Sequence, residues 1–371
     1  MRRLVLTAPV VVLAVLLAQP GRLTAAPAPM PVFNEPAADR LVLPAPKPGR
    51  ARPLVVIVGG DAGAETTDFI IPYAVLKESG LAEVRTLSTA PGPLKLMMTL
   101  KVQPDQTTAQ FEAAEPRGAD IVIVPAQMNP KDAALIAFVQ RQAAKGATIV
   151  SICEGAKVLA EAGLLDRKRA TTHFASLKKF DKAYPRTTWV RDRRYVQDGA
   201  IISTTGVTAS IPASLALVEA IGGRAEAQAT ARRLGVTAWG AAHRTADYEI
   251  TKADYAYAAG ALAAVWNHET LEVPLADGTD EISLALRADA WSRSFRSKVL
   301  TTRVGLAPVH GRNGLVILPD SEPVKGRPLV PVHAGPPALQ VDASLADMTR
   351  RYGPGAARMA RIGLEYDPPG R

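Results

Sequence analysis

From Leu54 to Leu234 the chain alternates short, strongly apolar runs with segments of helical period, and turn-forming residues close each run. Strands buried on both faces read as continuous apolar runs, so this alternation predicts a parallel sheet covered by helices on both sides. The runs are Leu54 to Val58, Glu83 to Leu87, Ile121 to Val124, Thr148 to Ile152, Ala170 to His173 and Ala200 to Thr204. Helices are expected from about Asp68 to Glu78, from Asn129-Pro130 to Ala144, from Glu154 to Ala162 and from Ile211 to Ile221. Gly146 and Gly163 stop the second and third of these.

One junction in this pattern carries chemistry. Ser151-Ile152-Cys153-Glu154-Gly155 puts a cysteine between an apolar strand and a helix, with a small residue two positions to either side. A sharp strand-to-helix turn needs small neighbours, and it presents its central side chain as a nucleophile. At a helix N-terminus the unpaired N–H groups favour thiolate over thiol, so a lowered pKa is expected for Cys153. Glu154 helps to shape the turn, but its charge opposes thiolate formation unless it points outward.

The segment "GATIVSICEGAKVLAEAGLLDRKRATTHF" resembles the elbow region of the DJ-1/PfpI superfamily, whose domains are class I glutamine amidotransferase-like. It is most similar to the isonitrile-hydratase and GlxA-type regulator branches, over about residues 54 to 234. In those branches a histidine follows the cysteine inside an Ala-Thr-Thr-His segment, and His173 stands there in this chain. An acidic residue four places before a proline is bonded to the cysteine sulfur in the family, and Asp68-Phe69-Ile70-Ile71-Pro72 matches it. The resemblance therefore implies a flavodoxin-like three-layer αβα sandwich with Cys153, Asp68 and His173 as catalytic residues. It implies Glu154, Gly155, Ala126 and Gly60 as support for the elbow and an oxyanion hole. One departure lies in that hole: the family's Pro-Gly-Gly is replaced by Pro125-Ala126-Gln127, and alanine adopts positive φ less readily than glycine. Taken alone, Asp68 also suits a helix cap and His173 an ordinary strand-end histidine.

Residues 1–26 read as a secretory signal: Arg2 and Arg3, an apolar run from Leu4 to Leu17, then small residues around Thr24-Ala25-Ala26. The run falls short of the roughly 20 residues that span a bilayer, so cleavage without stable membrane insertion is expected, with a periplasmic or secreted product. Losing Arg2, Arg3 and Arg22 lowers the formal charge from +9 to +6, and no long basic run remains to bind nucleic acid. With a single cysteine no intramolecular disulfide can form, and the five histidines show no short metal-ligand spacing. Neither metal nor cofactor is expected.

Residues 27–52, rich in Ala, Pro and Arg, are expected to be a flexible leader before a DJ-1/PfpI-like domain at 53–234. Residues 235–318 read as a C-terminal α+β appendage, with a helix from Asp254 to His268 and two strand pairs turning at Asp277-Gly278 and near Asn313-Gly314. Residues 319–371 form a Pro-rich tail with a helix from Leu345 to Leu364, interrupted at Gly353-Pro354. Nothing after residue 234 resembles the helix-turn-helix units of the regulator branch.

Two functions follow. The first is a cofactor-independent hydrolase or hydratase/lyase, in which Cys153 attacks a small electrophilic substrate, Asp68 moves a proton and His173 assists. The second is a non-catalytic periplasmic sensor of a ligand or of redox state. A homodimer is what the resemblance implies.

Overall fold

The computed structural model describes residues 39–367. Its centre is a seven-stranded sheet in the order 195–198, 201–204, 148–151, 121–124, 54–59, 83–88 and 106–107. All neighbours are parallel except the edge pair 195–198 and 201–204, a hairpin turning at Gly199 with φ +63°. Alternate residues of Leu54–Gly59 leave the sheet on opposite faces, as strand geometry requires. Val55 and Ile57 join a core with Phe69, Leu215 and Trp291, whereas Leu54, Val56 and Val58 join one with Phe111, Phe138 and Phe180. Helices Thr66–Ser79 and Ser210–Gly222 cover the first face; Thr108–Ala114, Ala133–Ala144, Gly155–Glu161 and Phe174–Ala183 accompany the second. The expected α/β sandwich is thus present.

The C-terminal part differs from its expected form in one respect. Strands Glu269–Pro274 and Ser297–Thr302 run parallel, joined by helix Glu281–Ser292, so Asp277-Gly278 is not a hairpin turn. Asp280 instead caps that helix by accepting from the Ser283 N–H at 2.7 Å. The apolar residues Ile282, Leu284, Leu286 and Trp291 of the helix are buried, which makes the unit a β–α–β crossover. The turn at Asn313-Gly314 does form a hairpin, between Val309–His310 and Val316–Leu318. Its second strand pairs with Lys101–Gln103, so this region extends a sheet begun in the α/β part. The last two helices are Gln340–Tyr352 and Pro354–Leu364, broken where expected.

The signal at 1–26 and the first half of the leader lie outside the described residues. From residue 39 the leader is fastened rather than flexible. Asp120 accepts from the Lys47 N–H, the Leu54 N–H and the Arg50 guanidinium at 2.7–2.9 Å, and Arg50 also donates to Glu115 at 2.8 Å. A Pro-rich composition hid this anchor because its partner lies some seventy residues away.

Candidate active site

Cys153 sits at the elbow with φ +56°, in the left-handed region that non-glycine residues seldom occupy. Such a conformation costs on the order of 1–3 kcal/mol and persists only where its surroundings enforce it. Here the Cys153 N–H donates to Thr204 Oγ1 at 3.3 Å, and Thr172 Oγ1 donates to the Cys153 carbonyl at 3.0 Å. Gly155 lets the following helix approach the neighbouring strand: a Cβ there would lie 2.1 Å from the Val124 carbonyl oxygen. Glu154 precedes the helix and accepts a hydrogen bond from Ser176 Oγ.

The expected acidity of Cys153 is not what this setting favours. The residue is 5% exposed, and burial pushes its thiol well above the ordinary range, reinforced first by Asp68 and then by Glu154, Glu65 and Glu365. The following helix, Gly155–Glu161, has only seven residues. Its dipole is outweighed by desolvation and four carboxyl groups, so the sulfur holds its proton at neutral pH.

Asp68 is fully buried in the first turn of helix Thr66–Ser79. Its Oδ2 accepts from the Ala126 N–H at 3.1 Å, while Oδ1 has no hydrogen-bond partner. Burial, and then Glu65, raise its pKa well above the carboxylate range. The carboxyl group therefore keeps a proton, but it makes no hydrogen bond to the sulfur, the contact that the family resemblance implies; the two groups are linked electrostatically. Glu65 caps the same helix, accepting from the Asp68 N–H at 2.7 Å and from Thr67 Oγ1 at 2.9 Å.

Ala126 and Gly60, expected to lend amides to an oxyanion hole, have both amides engaged by side chains. Ala126 serves Asp68, and the Gly60 N–H donates to Gln127 Oε1 at 2.8 Å. His173 is likewise not bonded to the sulfur. It caps helix Phe174–Ala183, its Nδ1 accepting from the Ala175 N–H at 3.3 Å, and this leaves the ring proton on Nε2, 3.9 Å from Glu365 Oε2. Burial lowers its pKa against the pull of Glu365, so the imidazole is neutral.

Four further residues belong to the site, Arg293, Asp289, Glu365 and His243, all of them from the C-terminal part. Arg293 donates to Glu65 Oε1 at 2.8 Å, to Asp289 Oδ2 at 2.9 Å and to the Gly363 carbonyl at 3.2 Å. Two buried carboxyl groups, Glu65 and Asp289, thus share one guanidinium. Asp289 is pushed up to about 7, by burial first, and its Oδ1 is unpartnered. Glu365 is 3% exposed with φ +50°, and it accepts from Thr205 Oγ1 at 2.5 Å, the Gly206 N–H at 2.6 Å and the Phe174 N–H at 3.3 Å. A Cβ on Gly206 would lie 2.1 Å from its Oε2, so glycine is required for this approach. His243 Nε2 lies 2.8 Å from the other oxygen of Glu365, and its Nδ1 lies 3.4 Å from Asp367. Burial disfavours charge on His243, but Asp367 and Glu365 outweigh it and raise its pKa to about 9.

Residues 53–220 match the DJ-1/PfpI family. The chain is similar to the isonitrile hydratase of Pseudomonas putida, 34% identical over 167 residues that make up 43% of this chain and 69% of that protein. It is also similar to the HTH-type transcriptional regulator CdhR of Pseudomonas aeruginosa, 37% identical over 110 residues, 29% of this chain. That match spans about a third of the regulator's length, 32%. Among solved structures, Drosophila melanogaster DJ-1beta superposes with a TM-score of 0.45 at 23% identity, covering 50% of this chain and 98% of that one.

Proposed function

The chain belongs to the DJ-1/PfpI family, and from that premise we propose that it is a cofactor-independent hydratase or hydrolase in which Cys153 and Asp68 act as a proton-sharing pair on a small electrophilic carbon. The observation that supports this is the protonated, half-unpartnered carboxyl group of Asp68, which acts electrostatically on a thiol held in a strained turn. Both groups rest neutral, so the site needs a substrate that accepts a proton as the sulfur attacks.

An isonitrile meets that requirement. The sulfur bonds to its terminal carbon while one proton passes to that carbon, giving an N-substituted thioimidate. Water then adds to the thioimidate carbon, the C–S bond breaks, and an N-substituted formamide leaves as the thiol regains its proton. Asp68 carries the proton in each direction. His173, bonded within its own helix and facing Glu365, orients the wall of the site.

The test is turnover of cyclohexyl isonitrile by the purified protein. Cys153→Ser abolishes it, and Asp68→Asn lowers it by roughly 10²–10⁴-fold. Alkylation of Cys153 by iodoacetamide follows a midpoint above the free-thiol value of about 8.5. Undiminished turnover in Cys153→Ser would remove the reading.

A second reading, a sensor that binds without turnover, is supported by the engagement of the Ala126 and Gly60 amides. It requires selective oxidation of Cys153 by mild peroxide, visible by mass spectrometry, in a protein that turns over no isonitrile. In either case we place the protein in the periplasm or outside the cell as a homodimer. A mature N-terminus near Pro27 and a dimer mass by light scattering are the expected results.

A further inference from the structure

Residues of the C-terminal part enclose a cavity of about 700 Å³ whose wall includes His173 and Arg293. That volume lies in the range of small-molecule sites, which are mostly apolar with a few placed polar groups. Most of its lining comes from residues 250–363, beyond the stretch that matches the family. The two shared residues tie it to the cysteine site: His173 faces Glu365, and Arg293 acts electrostatically on Cys153.

The lining decides what fits. Met98 and Leu262 are 47% and 56% exposed, which leaves apolar surface for a ligand to cover. Phe174, Phe295 and Ile362 continue that surface. The charged groups held within the wall are already satisfied, Arg293 by Glu65 and Asp289 and Glu269 by Arg351 at 2.5 Å, and the remaining cation of the lining, Lys298, is exposed to solvent. A charged ligand body would gain no unpaired partner deep in the cavity and would lose its hydration.

We infer that this cavity is the specificity pocket of the cysteine site and takes a neutral substrate with a bulky alkyl or aromatic body, its reactive head turned toward His173. The inference rests on the reading of Cys153 as the reacting group.

Calorimetric titration of the full-length protein with N-cyclohexylformamide and N-methylformamide tests it, because binding of these neutral products requires no turnover. The cyclohexyl compound binds at least tenfold more tightly. Leu262→Glu and Met98→Glu, on walls from different parts of the chain, each weaken it at least tenfold. Both positions are substantially exposed, so these variants fold, and circular dichroism checks that they do. Equal affinity for the two formamides, or wild-type affinity in both variants, overturns the pocket. Turnover that depends on Cys153 without any preference for the bulky formamide defeats the pocket alone. A preference for the bulky formamide with turnover indifferent to Cys153→Ser defeats only the catalytic reading.

Discussion

Residues 53–234 and residues 235–367 contribute to the same site in opposite ways. The first part supplies Cys153 through a turn whose shape is written into five consecutive residues, with neighbours such as Thr172 and Thr204 from adjoining elements. The second supplies Arg293, Asp289, Glu365 and His243, which reach the site across 228 positions from Arg293 to Glu65 and 160 from Glu365 to Thr205. The first region places the sulfur and three of the four carboxyl groups that act on it, and the second adds Glu365 and the Arg293 cation that pairs with Glu65. Reactivity at such a centre is therefore a property of the whole fold, even though its nucleophile is a local device.

The comparison breaks if either half can be altered without its own signature. The largest effect is expected from Gly155→Ala, which drives a methyl group into two backbone carbonyls, of Val124 and Pro125. A loss of roughly 4 kcal/mol or more follows in denaturant unfolding. Arg293→Met comes next, at about 3–5 kcal/mol, because it strands Glu65 in the interior. Removing that cation also raises the Cys153 thiol further, so alkylation at a fixed pH slows. A C-terminal part that were only an attachment would leave that titration unmoved.

The attachment of the tail sharpens the contrast through pH. His243 has a folded pKa of about 9, above its unfolded value of about 6.5, so its stabilising effect is complete below pH 6.5 and fades as pH rises through 9. Glu365, Asp367 and Arg194 surround this cluster, and Tyr248 stacks on the ring. The unfolding free energy lost in His243→Gln should be larger at pH 6 than at pH 10 by on the order of 3 kcal/mol. The smallest effect belongs to the surface of the same region. Arg351→Ala removes a half-exposed pair with Glu269 and changes stability by about 1 kcal/mol or less.

Much of the α/β part was legible because its strands are buried on both faces and stand out as apolar runs, as at Leu54–Gly59 and Ile121–Val124. Cys153 was legible from its small neighbours, and Asp68 from its spacing to Pro72. The acidity of the thiol was misjudged because the adjacent helix is local and visible, whereas Asp68, Glu65 and Glu365 converge from separate segments. Asp277-Gly278 looked like a hairpin turn because two strand-like runs flank it. The intervening helix Glu281–Ser292 is buried on most sides, and so lacks the polar stripe that would mark its period. Glu365 and Arg293 left no local signal, since partners that distant in the chain impose no periodicity on their neighbours.

The place of Glu365 in the chain has a consequence for biosynthesis. Some two hundred residues separate it from Cys153, so at ordinary translation speeds the sulfur exists for roughly 10–40 s before the carboxylate that braces its surroundings has been made. During that interval a nascent chain bears a thiol without its finished enclosure. Any factor that covers this segment of the growing polypeptide until its last helices emerge would protect that thiol from premature modification.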